Sequence, residues 1–139
     1  MIVPITNPDL VNNLLPIMLK TKDLPFSPHG YLNYIKEAIV TDCAILLVNI
    51  NDANEFDSMA FAETIINITD REAMFNFAYV DPKQKEVGIE FWDLINKWAI
   101  DKECKRICCI TNKLKARAMK KKYGFDQNWS YLTKEIERS

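Results

Sequence analysis

Between residues 43 and 111 the hydrophobic pattern changes period twice, and that succession restricts the folds open to the chain. Residues 43–50 (CAILLVNI) are an almost unbroken apolar run, as expected of a strand covered on both faces. Two further strand-like runs lie at 58–68 and 73–80, separated only by the short polar segments 51–54 and 69–72. Strands linked this closely pair as an antiparallel meander. From residue 87 to 102 the period becomes helical, with Phe91, Leu94, Ile95 and Trp98 on one stripe and Asp93, Lys97 and Asp101 on the other. Residues 106–111 (RICCIT) then read as a short buried strand. Strand, helix and strand in that order imply a parallel pair joined by a right-handed crossover. One sheet must therefore hold both antiparallel and parallel neighbours.

The flanking segments extend this pattern. Residues 2–5 read as a short strand. Asn7 is placed to cap a helix with Pro8 in its first turn. Leu10, Leu14, Leu15 and Met18 are its expected inner face. Residues 24–30 (LPFSPHG) carry the proline and glycine punctuation of a loop. Helical spacing resumes over 31–39 through Leu32, Ile35 and Ala38. Late in the chain, 113–123 reads as a helix closed by Gly124. A last strand at 129–136 alternates Trp129, Tyr131 and Thr133 against Ser130, Leu132 and Lys134. The expected order is β-α-α-β-β-β-α-β-α-β within one domain, residues 1–139.

Composition fits that reading. A chain of 139 residues that is 48% hydrophobic can bury one core and is not disordered. No apolar run approaches the roughly 20 residues of a membrane-spanning helix. The segment MIVPITNPDL lacks the basic and apolar parts of a signal peptide, so a cytoplasmic location is expected. A net charge of -1 argues against whole-molecule attraction to nucleic acid or membrane. The four cysteines, Cys43, Cys104, Cys108 and Cys109, form no CxxC pair, and His29 is the single histidine. Reduced, buried thiols are expected, and no metal site.

The stretch from Phe75 to Phe125 carries a resemblance. Ala78-Tyr79-Val80-Asp81-Pro82 ends a strand in an apolar V-x-P segment, and Lys85-Glu86-Val87-Gly88-Ile89-Glu90 comes next at the start of a helix. Ala116 and Gly124-Phe125 come later at the spacing of an Asn-x-x-Ala-x-x-x-Tyr-x-x-x-Gly-Phe motif. Together with the element order, these residues resemble the GCN5-related N-acetyltransferase (GNAT) superfamily over nearly the whole chain. The resemblance implies an α/β fold, a mixed sheet of antiparallel meander plus one parallel β-α-β crossover, flanked by helices. It implies acetyl-CoA as substrate and an amine, unidentified, as acceptor. The pyrophosphate would lie on residues Lys85, Glu86, Val87, Gly88, Ile89 and Glu90. The pantetheine arm would pair with Phe77, Ala78, Tyr79 and Val80, and Asn112 would stand near the motif's asparagine position. The sequence departs from the family pattern at Glu90, which replaces a small residue, and at Lys120, which takes the tyrosine's place.

The physics of that loop does not depend on the name. A helix start presents backbone N–H groups without intrahelical partners and the positive end of the helix dipole, a natural anion site. Gly88 permits close backbone approach. No catalytic base is assigned from sequence. His29 lies in a proline–glycine turn, Asn76 interrupts the apolar run FNFAYV on the face of Met74, Ala78 and Val80, and Glu63 is a carboxylate on the preceding strand. Each has both a chemical and a purely structural reading, and Glu63 has the further role open to it of taking a proton from an amine. Phe26 is a candidate acceptor-site lid, while Trp92, Trp98 and Trp129 read as packing residues. Lys102, Lys105, Arg106, Lys113, Lys115, Arg117, Lys120, Lys121 and Lys122 cluster late, with only Glu103 among them. They suit either the nucleotide end of CoA or a solvated face. The alternative to catalysis is a GNAT-like scaffold acting as a structural or interaction protein. Compact proteins of that kind are encoded by bacteriophages and include virion-associated ones. A nucleic-acid accessory protein using the basic stretch is the third class.

Overall fold

The computed structural model describes residues 1–21, 24, 26–66, 69–109 and 121. By compactness the chain divides into Met1–Cys108 and Cys109–Ser139. The sheet and its covering helices belong to the first unit. Of the expected helix 113–123 only Lys121 is described, and the strand 129–136, Asn112, Lys120 and Gly124 lie outside the described residues.

Strand β1 (Ile2–Pro4) leads into a 3₁₀ segment (Pro8–Leu14) and helix α1 (Leu15–Leu19). Helix α2 spans Pro28–Ile39, and β2 (Ala44–Ile50), β3 (Phe56–Ile66) and β4 (Arg71–Tyr79) come after it in succession. Helix α3 (Glu86–Asp101) and β5 (Arg106–Cys108) complete the unit. The strands form one sheet in the order β1-β2-β3-β4-β5. The first four are antiparallel neighbours, and β4 and β5 are parallel. This is the mixed sheet that the change of period requires. No described helix is long and apolar enough to cross a membrane.

The sheet separates two cores. On one face, Val11, Leu14, Ile17, Met18, Leu32 and Ile35 pack against Leu46, Val48, Met59, Phe61 and Phe77. On the other, Val87, Phe91 and Ile95 of α3 pack against Leu47, Ala60 and Ala62. Strand β2 thus serves both faces, as its unbroken apolar run demands.

Local chemistry shifts several expected boundaries. Asn7 does cap, its side-chain oxygen accepting from the Asp9 N–H at 3.0 Å. The first helix, however, is divided. Pro16 has no N–H to give to the preceding turn, so the 3₁₀ segment ends and α1 begins afresh there. The inner face becomes Val11, Leu14, Ile17 and Met18, while Leu10 is exposed and Leu15 only half-buried. Helix α2 starts earlier than its apolar spacing indicates. Ser27 accepts from the Gly30 N–H at 3.1 Å and Pro28 supplies a ready-made first-turn φ, so His29 belongs to a helix turn rather than a loop. In α3 the buried stripe is Val87, Phe91, Ile95 and Ala99, with Leu94 exposed and Trp98 at the margin.

Candidate active site

Two β-bulges interrupt the antiparallel part of the sheet. In β3–β4, Phe61 pairs with Phe77 but Ala62 pairs with Phe75, so Asn76 is one residue too many on β4. An extra residue bends its strand and interrupts strict alternation. Asn76 accordingly faces the α2 side together with Phe77, while Val80 packs on the α3 side. The expectation that Asn76 shares a face with Val80 fails for this reason. Beyond the bulge the second edge of β4 has no strand partner among the described residues. It pairs with β5 only over Glu72–Met74, and no described strand accompanies residues 75–79 there.

On the α2 side, Asn76 Nδ2 donates to Glu63 Oε1 at 2.8 Å. The Tyr34 hydroxyl donates to the same carboxylate, 2.7 Å from Oε1 and 2.6 Å from Oε2. Partial burial and the bond to the Glu63 carboxylate push the Tyr34 phenol up to about 12. Tyr31, one helical turn earlier, stacks between Phe26 and Tyr34 at centroid distances of 5.7 and 6.3 Å. It is nine-tenths buried, and its hydroxyl has no hydrogen-bond partner among the described residues. Burial raises its pKa further still, with the Glu63 charge adding to the effect. Glu63 is therefore not simply solvated. It is held by two side chains from different elements beside an aromatic wall. His29 is not joined to this group by any hydrogen bond or ion pair described.

The second bulge lies in β2–β3, where Asn49 pairs with Ser58 and Ile50 with Phe56, leaving Asp57 extra. Its buried carboxylate accepts from Asn49 Nδ2 at 2.9 Å and from Gln84 Nε2 at 2.6 Å. Ser58 Oγ accepts from the Asp81 N–H at 2.9 Å. These bonds pin the turn between β4 and α3. Within it, the Val87 N–H donates to the Gln84 carbonyl and the Gly88 N–H to the Lys85 carbonyl, at 3.0 and 3.2 Å. The Lys85 and Glu86 N–H groups are the ones such a helix start leaves over.

The residues named from sequence fall into two sets. Phe77 is buried against Tyr31, Ala78 is exposed, Tyr79 flanks the α2 core and Val80 the α3 core. Val80 approaches the first turn of α3, where a Cβ placed on Gly88 would lie 3.5 Å from its Cγ2, an ordinary contact. Lys85, Glu86, Ile89 and Glu90 are exposed, Gly88 is half-buried, and Val87 is a core residue that can offer only backbone. The late basic cluster is partly neutralised: Lys102 pairs with Asp42, Lys105 with Asp70, and Arg106 with Asp70 and Glu72. Lys121 is exposed. Among the described residues no group of three or more metal-ligating side chains is placed to hold an ion.

Sequence reasoning passed over Tyr31, Tyr34, Asn49, Asp57 and Gln84. Asn49 and Asp57 had a signal, being polar within apolar runs. The tyrosines had none until strand pairing brought Glu63 beneath them.

No protein-family model and no curated protein matches the sequence. Solved structures do. An aminoglycoside antibiotic 6'-N-acetyltransferase from Acinetobacter baumannii is 19% identical and superposes with a TM-score of 0.76 over 99% of each chain. A predicted acetyltransferase with acetyl-CoA from Clostridium acetobutylicum is 17% identical, with a TM-score of 0.76 over 96% of each chain. An aminoglycoside N-acetyltransferase in complex with CoA is 14% identical, with a TM-score of 0.76 over 99% of this chain and 95% of that one. At such identities the likeness is one of fold. The chain has the fold of the GNAT superfamily, with a mixed sheet flanked by helices.

Proposed function

We propose that the chain, residues 1–139 as one domain, is an acyl-CoA-dependent N-acyltransferase that moves an acetyl group to an amine. The observation that carries this reading is the run of β4 from its bulge, along an edge that no described strand covers, directly into the pinned first turn of α3. An open strand edge supplies N–H and C=O groups for the amides of a pantetheine arm, over Phe77, Ala78, Tyr79 and Val80. The helix start, with the Lys85 and Glu86 N–H groups and the Lys85 ammonium, suits a diphosphate. Asn112 is counted among the cofactor-binding residues by resemblance alone.

Glu63 is the proton acceptor in this proposal. It takes one proton from the acceptor ammonium, freeing the lone pair that forms the new C–N bond at the thioester carbonyl. The C–S bond breaks, the sulphur leaves with its electron pair, and the second nitrogen proton ends on that sulphur. Tyr34 and Asn76 keep the Glu63 carboxylate oriented. A backbone N–H at the β4 bulge is suited to the developing oxyanion.

The scaffold alternative draws on Glu86 and Glu90, two exposed carboxylates one turn apart at the anion end of α3. Calorimetric titration with acetyl-CoA, with free CoA as control, separates the readings. Micromolar binding that is lost on Gly88→Trp supports the transferase. No binding at millimolar ligand removes it and leaves a fold without this chemistry.

A further inference from the structure

The aromatic wall beside Glu63 has a donor–acceptor balance that a packing role does not explain. Tyr34 gives its one hydroxyl proton to Glu63, so what it offers outward is a lone pair. The Glu63 carboxylate accepts from Tyr34 and Asn76 and still has acceptor capacity at Oε2. The Tyr31 hydroxyl, buried and unpartnered among the described residues, is a third oxygen with free lone pairs. Leaving such a group unpaired is unfavourable, and a donor placed on its lone pairs would offset part of that cost. Ring faces flank Tyr31. Phe26 is 60% exposed and Tyr34 46%, and both stack on Tyr31. Large exposed rings beside a carboxylate attract a cation and cover an apolar stem.

We infer that this aromatic surface beside Glu63 binds a primary alkylammonium group, its three N–H donors matched to Glu63, Tyr34 and Tyr31 and its methylene stem lying on Phe26 and Tyr34. The inference deepens the transferase reading by naming the acceptor class: an unbranched aliphatic primary amine, as at the end of a lysine-like side chain or an alkyl diamine. It disfavours an amine borne directly on a hydroxylated ring, where the branched carbon and flanking hydroxyls keep the ammonium from reaching all three acceptors. It equally disfavours a methylated amine, which lacks the donors to satisfy three acceptors.

The test is a binding series that needs no turnover. The whole chain is titrated calorimetrically at pH 7 with n-pentylamine, N-methylpentylamine, N,N-dimethylpentylamine and glucosamine, with and without acetyl-CoA. The expected result is a loss of about threefold or more in affinity for each added methyl, and weaker binding of glucosamine than of pentylamine. Phe26→Ala and Tyr34→Phe should each weaken pentylamine by about fivefold or more and leave acetyl-CoA affinity unchanged. Equal binding of the primary and dimethylated amines, or of glucosamine and pentylamine, would overturn the inference, as would no amine binding at millimolar concentration. Amine binding with the expected order but no acetyl-CoA binding upholds the ammonium site while removing the transferase reading. Acetyl-CoA binding without the amine order does the reverse.

Discussion

At the scale of single residues, Glu63 carries the most chemistry, and its neighbours make that testable. Glu63→Gln keeps an acceptor for Tyr34 and removes the proposed base. We expect turnover of pentylamine to fall by about 10²-fold or more, the usual worth of a positioned general base. Acetyl-CoA affinity and the melting temperature should change little. The tyrosines give an independent readout. The Tyr34 phenol is pushed from 10.0 to about 12, and Tyr31 is raised as well. A phenol whose folded pKa lies above its unfolded value contributes stability in full below pH 10 and loses it as pH rises towards 12. Thermal melts between pH 9 and 12 should therefore fall in that window. Tyr34→Phe should flatten the fall, and phenolate absorbance should titrate late for two tyrosines. Equal alkaline slopes in the two proteins would show that Tyr34 is not coupled to folding. Little of this was legible in the sequence. Glu63 stood out as a carboxylate in an apolar strand, but a carboxylate there has a solvated reading as well. Only the register that sets β3 beneath α2 decides between them.

Elements explain why that register matters. Both polar clusters sit on bulges, and in both the extra residue is the polar one: Asn76 on β4 and Asp57 on β3. A strict two-residue alternation cannot turn such a side chain to the buried face without turning its apolar neighbours out, and a bulge can. The meander, the crossover and the helical period of α3 were all readable from hydrophobic spacing. The bulges were not, because one inserted residue leaves the pattern on either side intact. That same fact yields a clean variant. Deleting Asn76 restores a regular ladder in which Phe61 still faces Phe77 and Ala62 still faces Phe75. We expect the deletion variant to fold with the same far-ultraviolet circular dichroism. Its acetyl transfer should drop by about 10²-fold, the scale of a misplacement of about 1 Å at a reacting centre. Retained turnover would mean that the bend in β4 has no part in placing the thioester. The Asp57 bulge predicts differently. Asp57→Ala leaves the Asn49 and Gln84 amides short of a buried acceptor, at a cost of about 1–3 kcal/mol. It should loosen the turn before α3, so its signature is a lower melting temperature together with weaker acetyl-CoA binding.

Across the whole Met1–Cys108 unit, the sheet separates two cores, and the proposed reading places one ligand on each side. Strand β3 presents Met59 and Phe61 to the α1–α2 side and Ala60 and Ala62 to α3. Small residues on the second side let α3 lie close to the sheet, and α3 carries the proposed diphosphate turn. Large ones on the first side support the aromatic wall, since Tyr31 and Tyr34 both meet Phe61 edge-on at 6.2 Å. Substitutions at adjacent positions of one strand should therefore separate the two ligands. Ala60→Leu overpacks the α3 side, costing about 1–3 kcal/mol. It should raise the acetyl-CoA Kd by about tenfold and leave pentylamine binding unchanged. Phe61→Leu costs a similar amount, about 0.5–3 kcal/mol, but should weaken pentylamine and spare acetyl-CoA. Because the two variants lose comparable stability, a general softening of the fold predicts the same loss of both ligands in each. Calorimetry of both ligands on both variants distinguishes the cases. Crossed losses would show that each face of the sheet positions one substrate. Parallel losses would reduce both sites to a dependence on overall stability.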